Sequence, residues 1–124
     1  TTAHNLQAST NASNGYAITV KGPTLTSGGS SITAIGGSNT AIASGTEQFG
    51  VRFSSSGGSG GVVEHYAASG YAYGADSTTT SQIASSTVPS DTTTYNATYI
   101  ANISTLTEAG SYTTALTYVA TANY

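Results

Sequence analysis

The feature that most constrains this chain is the two-residue alternation of its last third. Between residues 95 and 103 every second side chain is Tyr, Ala or Ile, and a similar pattern returns between residues 112 and 122. Alternate side chains of a strand point to opposite faces of a sheet, so each segment is predicted to be a half-buried strand. Folding the chain about Glu108 sets Tyr99 opposite Tyr118 and one apolar face against the other. The two strands are therefore predicted to pair antiparallel near the centre of one sheet.

Two shorter segments alternate in the same way, residues 16–20 after the Asn14-Gly15 turn pair and residues 49–53. No apolar pattern of helical period persists for three turns, and the turn signals recur roughly every 8–12 residues. These features predict an all-β fold, an antiparallel immunoglobulin-like β-sandwich of about seven to nine strands, with a closed barrel as the alternative. Weaker strands are predicted at residues 31–35, 41–43, 62–67 and 79–84.

One stretch, residues 54–61, has the sequence Ser-Ser-Ser-Gly-Gly-Ser-Gly-Gly and resembles a flexible linker. Alternation resumes directly after it, and neither side holds enough apolar residues for a second core. The stretch is therefore predicted to be a long hairpin loop within one domain. The predicted organisation is an N-terminal strand at residues 1–10, followed by a single β-sandwich domain at residues 11–124.

Charge is nearly absent from the chain. Lys21 and Arg52 are its only basic residues, five residues are acidic, and the formal net charge is -3. Two basic side chains are too few to neutralise phosphates, which argues against nucleic acid and anionic membrane surfaces as partners. The apolar runs are too short for a membrane span, and the absence of cysteine excludes disulfides and thiolate sites. A hydroxyl-rich, charge-poor chain without an initial Met predicts a mature product located outside the cell, at its surface.

Catalytic chemistry is limited by the two histidines, His4 and His65. His65 with Asp76 or Asp91 and a serine could be drawn as a triad. No Gly-x-Ser-x-Gly elbow accompanies them, so a loop or strand-edge histidine is the better interpretation. The five acidic residues stand singly, as turn residues do, without paired carboxylates or a calcium loop. The chain is therefore predicted to be non-enzymatic, with no catalytic residue, cofactor or metal.

Covalent modification is the remaining chemistry that the sequence suggests. Asn-X-Ser/Thr sequons make Asn11, Asn96 and Asn102 candidates for glycosylation, although sequons also arise by chance in a chain rich in Ser and Thr. Asn96 and Asn102 are predicted to lie on the strand face away from the Tyr/Ala stripe. Lys21 and Asn123 could form an isopeptide bond between strands, but both fall opposite the apolar face of their strand.

Three stretches resemble secreted prokaryotic surface and pilus-like β-sandwich proteins: residues 11–20 (NASNGYAITV), 45–51 (GTEQFGV) and 108–114 (EAGSYTT). The Ala-Gly-Ser-Tyr segment is also similar to the final strand of chaperone-assembled pilins, which usually carry a disulfide that this chain lacks. The resemblance implies extracellular structural or adhesive work and no catalytic residues. It favours a structural subunit of an extracellular filament or pilus.

The segment at residues 1–10 is predicted to join the subunits of such a filament. Its better face carries only His4, Leu6 and Ala8, which is little apolar area for a solitary edge strand. A sheet edge without charged gatekeepers invites another strand, and backbone hydrogen bonds then supply the attachment. Repeated head-to-tail donation of this segment would give an open homopolymer. The alternative is that it pairs within its own subunit as an ordinary first strand.

A cell-surface adhesin or carbohydrate-binding module is the second function that the sequence suggests. In that interpretation Tyr66, Tyr71 and Tyr73 would be exposed and would stack on the sugar rings of host or surface glycans. The competing interpretation places these tyrosines in the core or at an interface, and the sequence favours it. Images of the native material, showing either filaments or discrete particles, would separate the two functions.

Overall fold

The computed structural model describes residues 2–67 and 69–124. Thr1, within the segment predicted to be donated, and Ala68, within the Tyr-rich segment, lie outside the described residues. The described chain forms one four-residue helix and eleven strands, three of which have only two residues. In chain order the elements are β1 (His4–Thr10), β2 (Tyr16–Lys21), β3 (Thr26–Ser27), β4 (Ser30–Ser31), β5 (Gly36–Thr40), β6 (Gln48–Ser56), β7 (Gly61–Val62), α1 (Glu64–Ala67), β8 (Tyr71–Tyr73), β9 (Ser81–Ser86), β10 (Ser90–Asn102) and β11 (Thr117–Ala122).

The strands form two main sheets, in which every named pairing is antiparallel. The five-stranded sheet has the order β1-β10-β6-β8-β5, and the four-stranded sheet has the order β11-β2-β9-β7. The strands β3 and β4 form a small separate hairpin. The all-β, antiparallel prediction is confirmed. The two sheets are separate layers with their own edges, so the closed-barrel alternative is wrong.

The core lies between the two sheets and follows the predicted alternation. Every second residue of β2 is buried, beginning at Tyr16, and the inward residues of β6 and β10 meet them. Tyr95 of β10 is completely buried, and its hydroxyl lies 2.6 Å from that of Tyr16. Since a buried phenol needs a polar partner, this bond joins the sheets without leaving either hydroxyl unpaired.

The predicted pairing of the last two long strands is wrong. β10 lies between β1 and β6 in the five-stranded sheet, whereas β11 pairs with β2 in the other sheet. Alternation identifies which face of a strand is apolar. It does not show whether that face packs beside the apolar face of a neighbour in the same sheet or against that of a strand in the opposite sheet. The hydroxyls of Tyr99 and Tyr118 do meet, 2.5 Å apart, but they meet face to face between the two sheets.

Several weaker predictions also need correction. Residues 41–43 are not a strand, because the strand ends just before them at Thr40. Residues 62–67 were expected to be a strand, but the chain turns after Val62 into α1, which places Tyr66 in the core with no exposed surface. A single helical turn is too short to show a helical period in the sequence.

The glycine-rich stretch at residues 54–61 is not a hairpin loop: its first three residues belong to β6, its last begins β7, and residues 57–60 form the loop between them. β6 continues to Ser56, and β7 then joins the opposite sheet, so the loop crosses between the layers. The N–H of Gly60 donates to Thr93 Oγ1 at 3.1 Å, and the N–H of Ser59 donates to Ser90 Oγ at 2.8 Å. A side chain at Gly60 would overlap the paired hydroxyls of Tyr16 and Tyr95. This loop therefore covers the end of the core at which the hydroxyls of Tyr16 and Tyr95 meet.

Candidate functional site

The first strand forms an edge of the five-stranded sheet. β1 pairs antiparallel with β10, with Leu6 opposite Tyr95 and Ala8 opposite Thr93. Leu6 and Ala8 are half-buried against the core, whereas the outward side chains of β1 are exposed. Leu6 and Ala8 therefore lie on the inward face of β1, whereas His4 is exposed at the end of the strand. In this single chain β1 occupies its own sheet edge, and backbone hydrogen bonds supply most of its attachment.

His4 makes the shortest polar side-chain contact between β1 and β10. Its Nε2 atom lies 2.7 Å from the hydroxyl of Tyr99, which in turn contacts the hydroxyl of Tyr118. The imidazole also lies against both phenol rings, with ring centroids 5.4 Å from Tyr99 and 5.9 Å from Tyr118. Burial raises the pKa of both tyrosines, so both phenols remain protonated at neutral pH. Because Tyr99 belongs to β10 and Tyr118 to β11, His4 links its own strand to both sheets.

A groove of about 570 Å³ opens beside this cluster, between the two sheets. Its walls are mainly apolar and include Phe49, Leu25, Leu116 and Ala101. None of the described side chains that line it is an Asp, Glu, Lys or Arg. The sequence did not predict this groove, because no periodic pattern marks Leu25, and the alternation that includes Leu116 was assigned to a strand pairing that the structure does not contain.

One wall of the groove is an uncovered part of β10. β1 pairs with β10 only as far as Ala97, whereas β10 continues to Asn102 and pairs there with β6 on its other side. No described strand covers the remaining edge. The Ala97 carbonyl accepts a hydrogen bond from the Ala3 N–H, so the backbone groups of Tyr99 and Ala101, two and four residues further on, face the same open side.

The outer edges of the two sheets lack charged protection on this side of the molecule. Neither β1 nor β11 contains an acidic residue, Lys or Arg. β11 pairs only with β2, and Val119 on its outward face is 49% exposed. Natural proteins usually blunt such edges with charge, proline or a covering element. These two edges are therefore open templates for another strand.

The three sequon asparagines differ in accessibility. Asn11 is exposed in the loop between β1 and β2. Asn96 and Asn102 are half-buried in β10, on the face away from the core as expected. The side-chain nitrogen of Asn102 donates to Gln48 Oε1 at 3.0 Å, and attachment of a glycan to that nitrogen would disturb the bond. Asn11 is the most accessible of the three.

The tyrosines considered for sugar stacking are core residues. Tyr66, Tyr71 and Tyr73 are 0%, 6% and 2% exposed. The Tyr73 hydroxyl donates to the Gly22 carbonyl at 2.5 Å, and the Tyr66 hydroxyl lies 2.8 Å from Ser81 Oγ. Their rings cannot reach a sugar from the surface, so the proposed stacking by these residues is wrong. The alternation of Tyr71 and Tyr73 in β8 indicated that those two are buried, whereas the clustering of tyrosines at residues 66–73 suggested sugar stacking; Tyr66 itself lies in α1.

The residues considered for catalysis are dispersed. His65 lies in α1 beside the ring of Tyr66, with centroids 4.5 Å apart. The Asp76 carboxylate accepts hydrogen bonds from the backbone N–H groups of Thr78 and Thr79, which lower its pKa and close a turn. In the same way Thr107 and Thr33 lower the pKa of Glu47. Within residues 2–67 and 69–124, no three His, Asp or Glu side chains cluster with metal-ligand geometry.

The isopeptide pair is also separated. Lys21 lies opposite Thr117, at one end of the β2–β11 ladder. The Asn123 N–H donates to the Gly15 carbonyl, at the other end of that ladder. Because six residues of extended strand separate the two side chains, no bond between them can form in this fold.

Comparisons with known proteins give no match: no family model, no curated protein and no solved structure is significantly similar to this chain. None of the described helices has the length and apolar character needed to cross a bilayer.

Proposed function

We propose that this protein is a non-enzymatic structural subunit of an extracellular filament or pilus, and that its subunits assemble by strand addition. The observation that carries the proposal is the attachment of β1. Two half-buried apolar side chains, one histidine and a backbone ladder hold this strand on β10. The same strand from a second copy would make the same contacts, so exchange between copies would lose little interaction energy.

The uncharged edges support the same function. A donated strand must pass close to the sheets of another copy, and like charges there would oppose it. β1 and β11 contain no acidic residue, Lys or Arg, and none lines the groove. The exposed Asn11 and the scarcity of charge elsewhere fit a protein of the cell surface, where glycans and hydroxyl groups keep it hydrated.

Engineered disulfides test this proposal, because the natural chain has no cysteine. Gln7 and Thr94 are Cα partners on the outward face of β1 and β10, so a Gln7→Cys, Thr94→Cys variant should form a disulfide wherever β1 pairs. Strand donation predicts a ladder of covalent oligomers from assembled, oxidised protein on a non-reducing gel. The matched control is Thr19→Cys, Val119→Cys, a partner pair of β2 and β11 that should close only within one chain.

Mixing completes the test. Chains with only Gln7→Cys, assembled together with chains carrying only Thr94→Cys, should give covalent dimers in high yield. Filaments in which the Gln7→Cys, Thr94→Cys bond forms only within single chains would overturn strand donation. Failure of the natural material to form any filament under electron microscopy would overturn the filament function itself.

A carbohydrate-binding or adhesive role is the second candidate, and the groove is the observation that favours it. The half-buried rings of Tyr99 and Tyr118 line it, with their hydroxyl groups beside each other. Rings of this kind stack on sugars. Binding to a glycan array that is lost in Tyr118→Ala, from discrete particles and not from filaments, would favour this role over the first.

A further inference from the structure

His4 differs from every other side chain of β1 in what it contacts. The remaining polar cross-strand contact, from Gln7 Nε2 to Thr94 Oγ1, is 3.4 Å long and exposed. Leu6 and Ala8 contribute apolar packing, which has no directional preference. The contact of His4 with Tyr99 is directional, 2.7 Å long, and flanked by two aromatic rings.

Register is the property that such a contact can control. A slip of β1 by one residue would turn its inward side chains to solvent, so the pleat already opposes it. A slip by two residues leaves the same side chains pointing inward. It moves Leu6 and Ala8 to other inward positions along β10. Because apolar packing is not directional, it discriminates poorly between those registers. The slipped strand would, however, remove the imidazole from the hydroxyls of Tyr99 and Tyr118.

We infer that the paired phenols of Tyr99 and Tyr118 form a recognition site for the imidazole of His4, and that this site sets the register of β1 on β10. The two phenols belong to different sheets, so the site can bind the imidazole of a strand only where β10 and β11 face each other. For a strand donated by a second copy, the inference rests on the filament function proposed above. For β1 within its own chain, it is independent of that function.

Register can be measured with three cysteine pairs. Gln7→Cys combined with Thr94→Cys reports the native register, and combined with Thr92→Cys or Asn96→Cys it reports a slip of two residues. Diagonal neighbours lie roughly 7–8 Å apart, at the limit of a disulfide, so the native pair should cross-link about tenfold more than either slipped pair. The pairs report register equally well in monomers and in filaments.

The inference predicts how this preference changes in variants of the full chain. In His4→Ala the preference should fall from about tenfold to about threefold or less. His4→Phe and Tyr99→Phe should each weaken it, and the two together should weaken it no more than either alone, because both remove the same contact between the imidazole and the Tyr99 hydroxyl. Tyr99→Phe also removes the bond to Tyr118, which involves no atom of β1. Asn5→Ala, an exposed neighbour on the outward face, is the matched control and should leave the preference unchanged.

Two results would overturn the inference. An unchanged preference in a folded His4→Ala variant would show that the histidine does not set register. Loss of the preference in Leu6→Ala, with His4→Ala unaffected, would assign register to apolar packing. Since the measurement works within a single chain, failure of the natural protein to form filaments would leave these results interpretable and would count only against the filament function.

Discussion

Replacing Gly60 by alanine tests the packing of the glycine-rich loop. The added methyl carbon would lie closer than 3.0 Å to the hydroxyl oxygens of Tyr16 and Tyr95, a separation that Cβ atoms in proteins essentially never show. Either the loop or the two rings must move. Movement of the loop stretches the hydrogen bonds from the Gly60 and Ser59 N–H groups, and movement of the rings opens the 2.6 Å bond between the sheets.

The expected loss of stability follows from these contacts. Overpacking of this kind typically costs about 1–3 kcal/mol, and each weakened hydrogen bond contributes about 0.5–1.5 kcal/mol. With one such bond lost, the sum is about 2–5 kcal/mol. For a chain of 124 residues, each kcal/mol corresponds to roughly 4 °C in Tm, so Gly60→Ala should melt about 8–20 °C below the natural protein.

Thermal unfolding followed by circular dichroism measures this change, and the neighbouring glycine supplies the control. A Cβ at Gly61 meets nothing within 4 Å, so Gly61→Ala should shift Tm by no more than about 2 °C. Combining Gly60→Ala with Tyr16→Phe and Tyr95→Phe removes the two oxygens and should reduce its penalty to less than half. Equal Tm values for the two alanine variants, or an undiminished penalty in the Phe background, would refute the reasoning.

Three further outcomes are expected. Burial raises the pKa of Tyr73 to about 12, above the value near 10 of an unfolded chain. The contribution of its protonated phenol to stability is therefore complete below pH 10 and is lost as pH rises to 12. Urea unfolding between pH 8 and pH 12 should show this decline, and a pH-independent midpoint would contradict it. Tyr73→Phe should cost about 1–3 kcal/mol at neutral pH by leaving the Gly22 carbonyl unpaired, while Tyr112→Phe, whose hydroxyl bond to Glu108 is exposed, should cost less than about 1 kcal/mol. In a glycosylating host, Asn11→Gln should lower the intact mass by one glycan, whereas an unchanged mass would show that Asn11 is unmodified.

The sequence predicted which face of each strand points inward more reliably than it predicted which strands pair. The inward residues of β2 and β6, and those of β1, were identified correctly because alternation is a local property of an extended chain. The partner of a strand depends on contacts distant in sequence. Tyr99 and Tyr118 therefore faced each other as expected, but from different sheets.

The candidate site was predictable only in part. His4 could be assigned to the inward face of β1, since its position follows from Leu6 and Ala8. Its contact with two phenols required knowledge that β10 and β11 oppose each other. The glycine-rich loop was misread for a related reason: composition alone suggests flexibility, whereas Gly60 is required by the close approach of the backbone to two hydroxyl groups.

The antiparallel ladder between β1 and β10 gives their junction a directional mechanical response. A force that pulls β1 along its own axis loads the whole ladder between His4 and Thr10 in shear, because its hydrogen bonds are perpendicular to the strands. A force that lifts the His4 end away from the sheet breaks those bonds one after another. In single-molecule pulling, rupture by shear should therefore require a greater force than rupture by peeling, and a filament joined through this ladder would be strongest under axial tension.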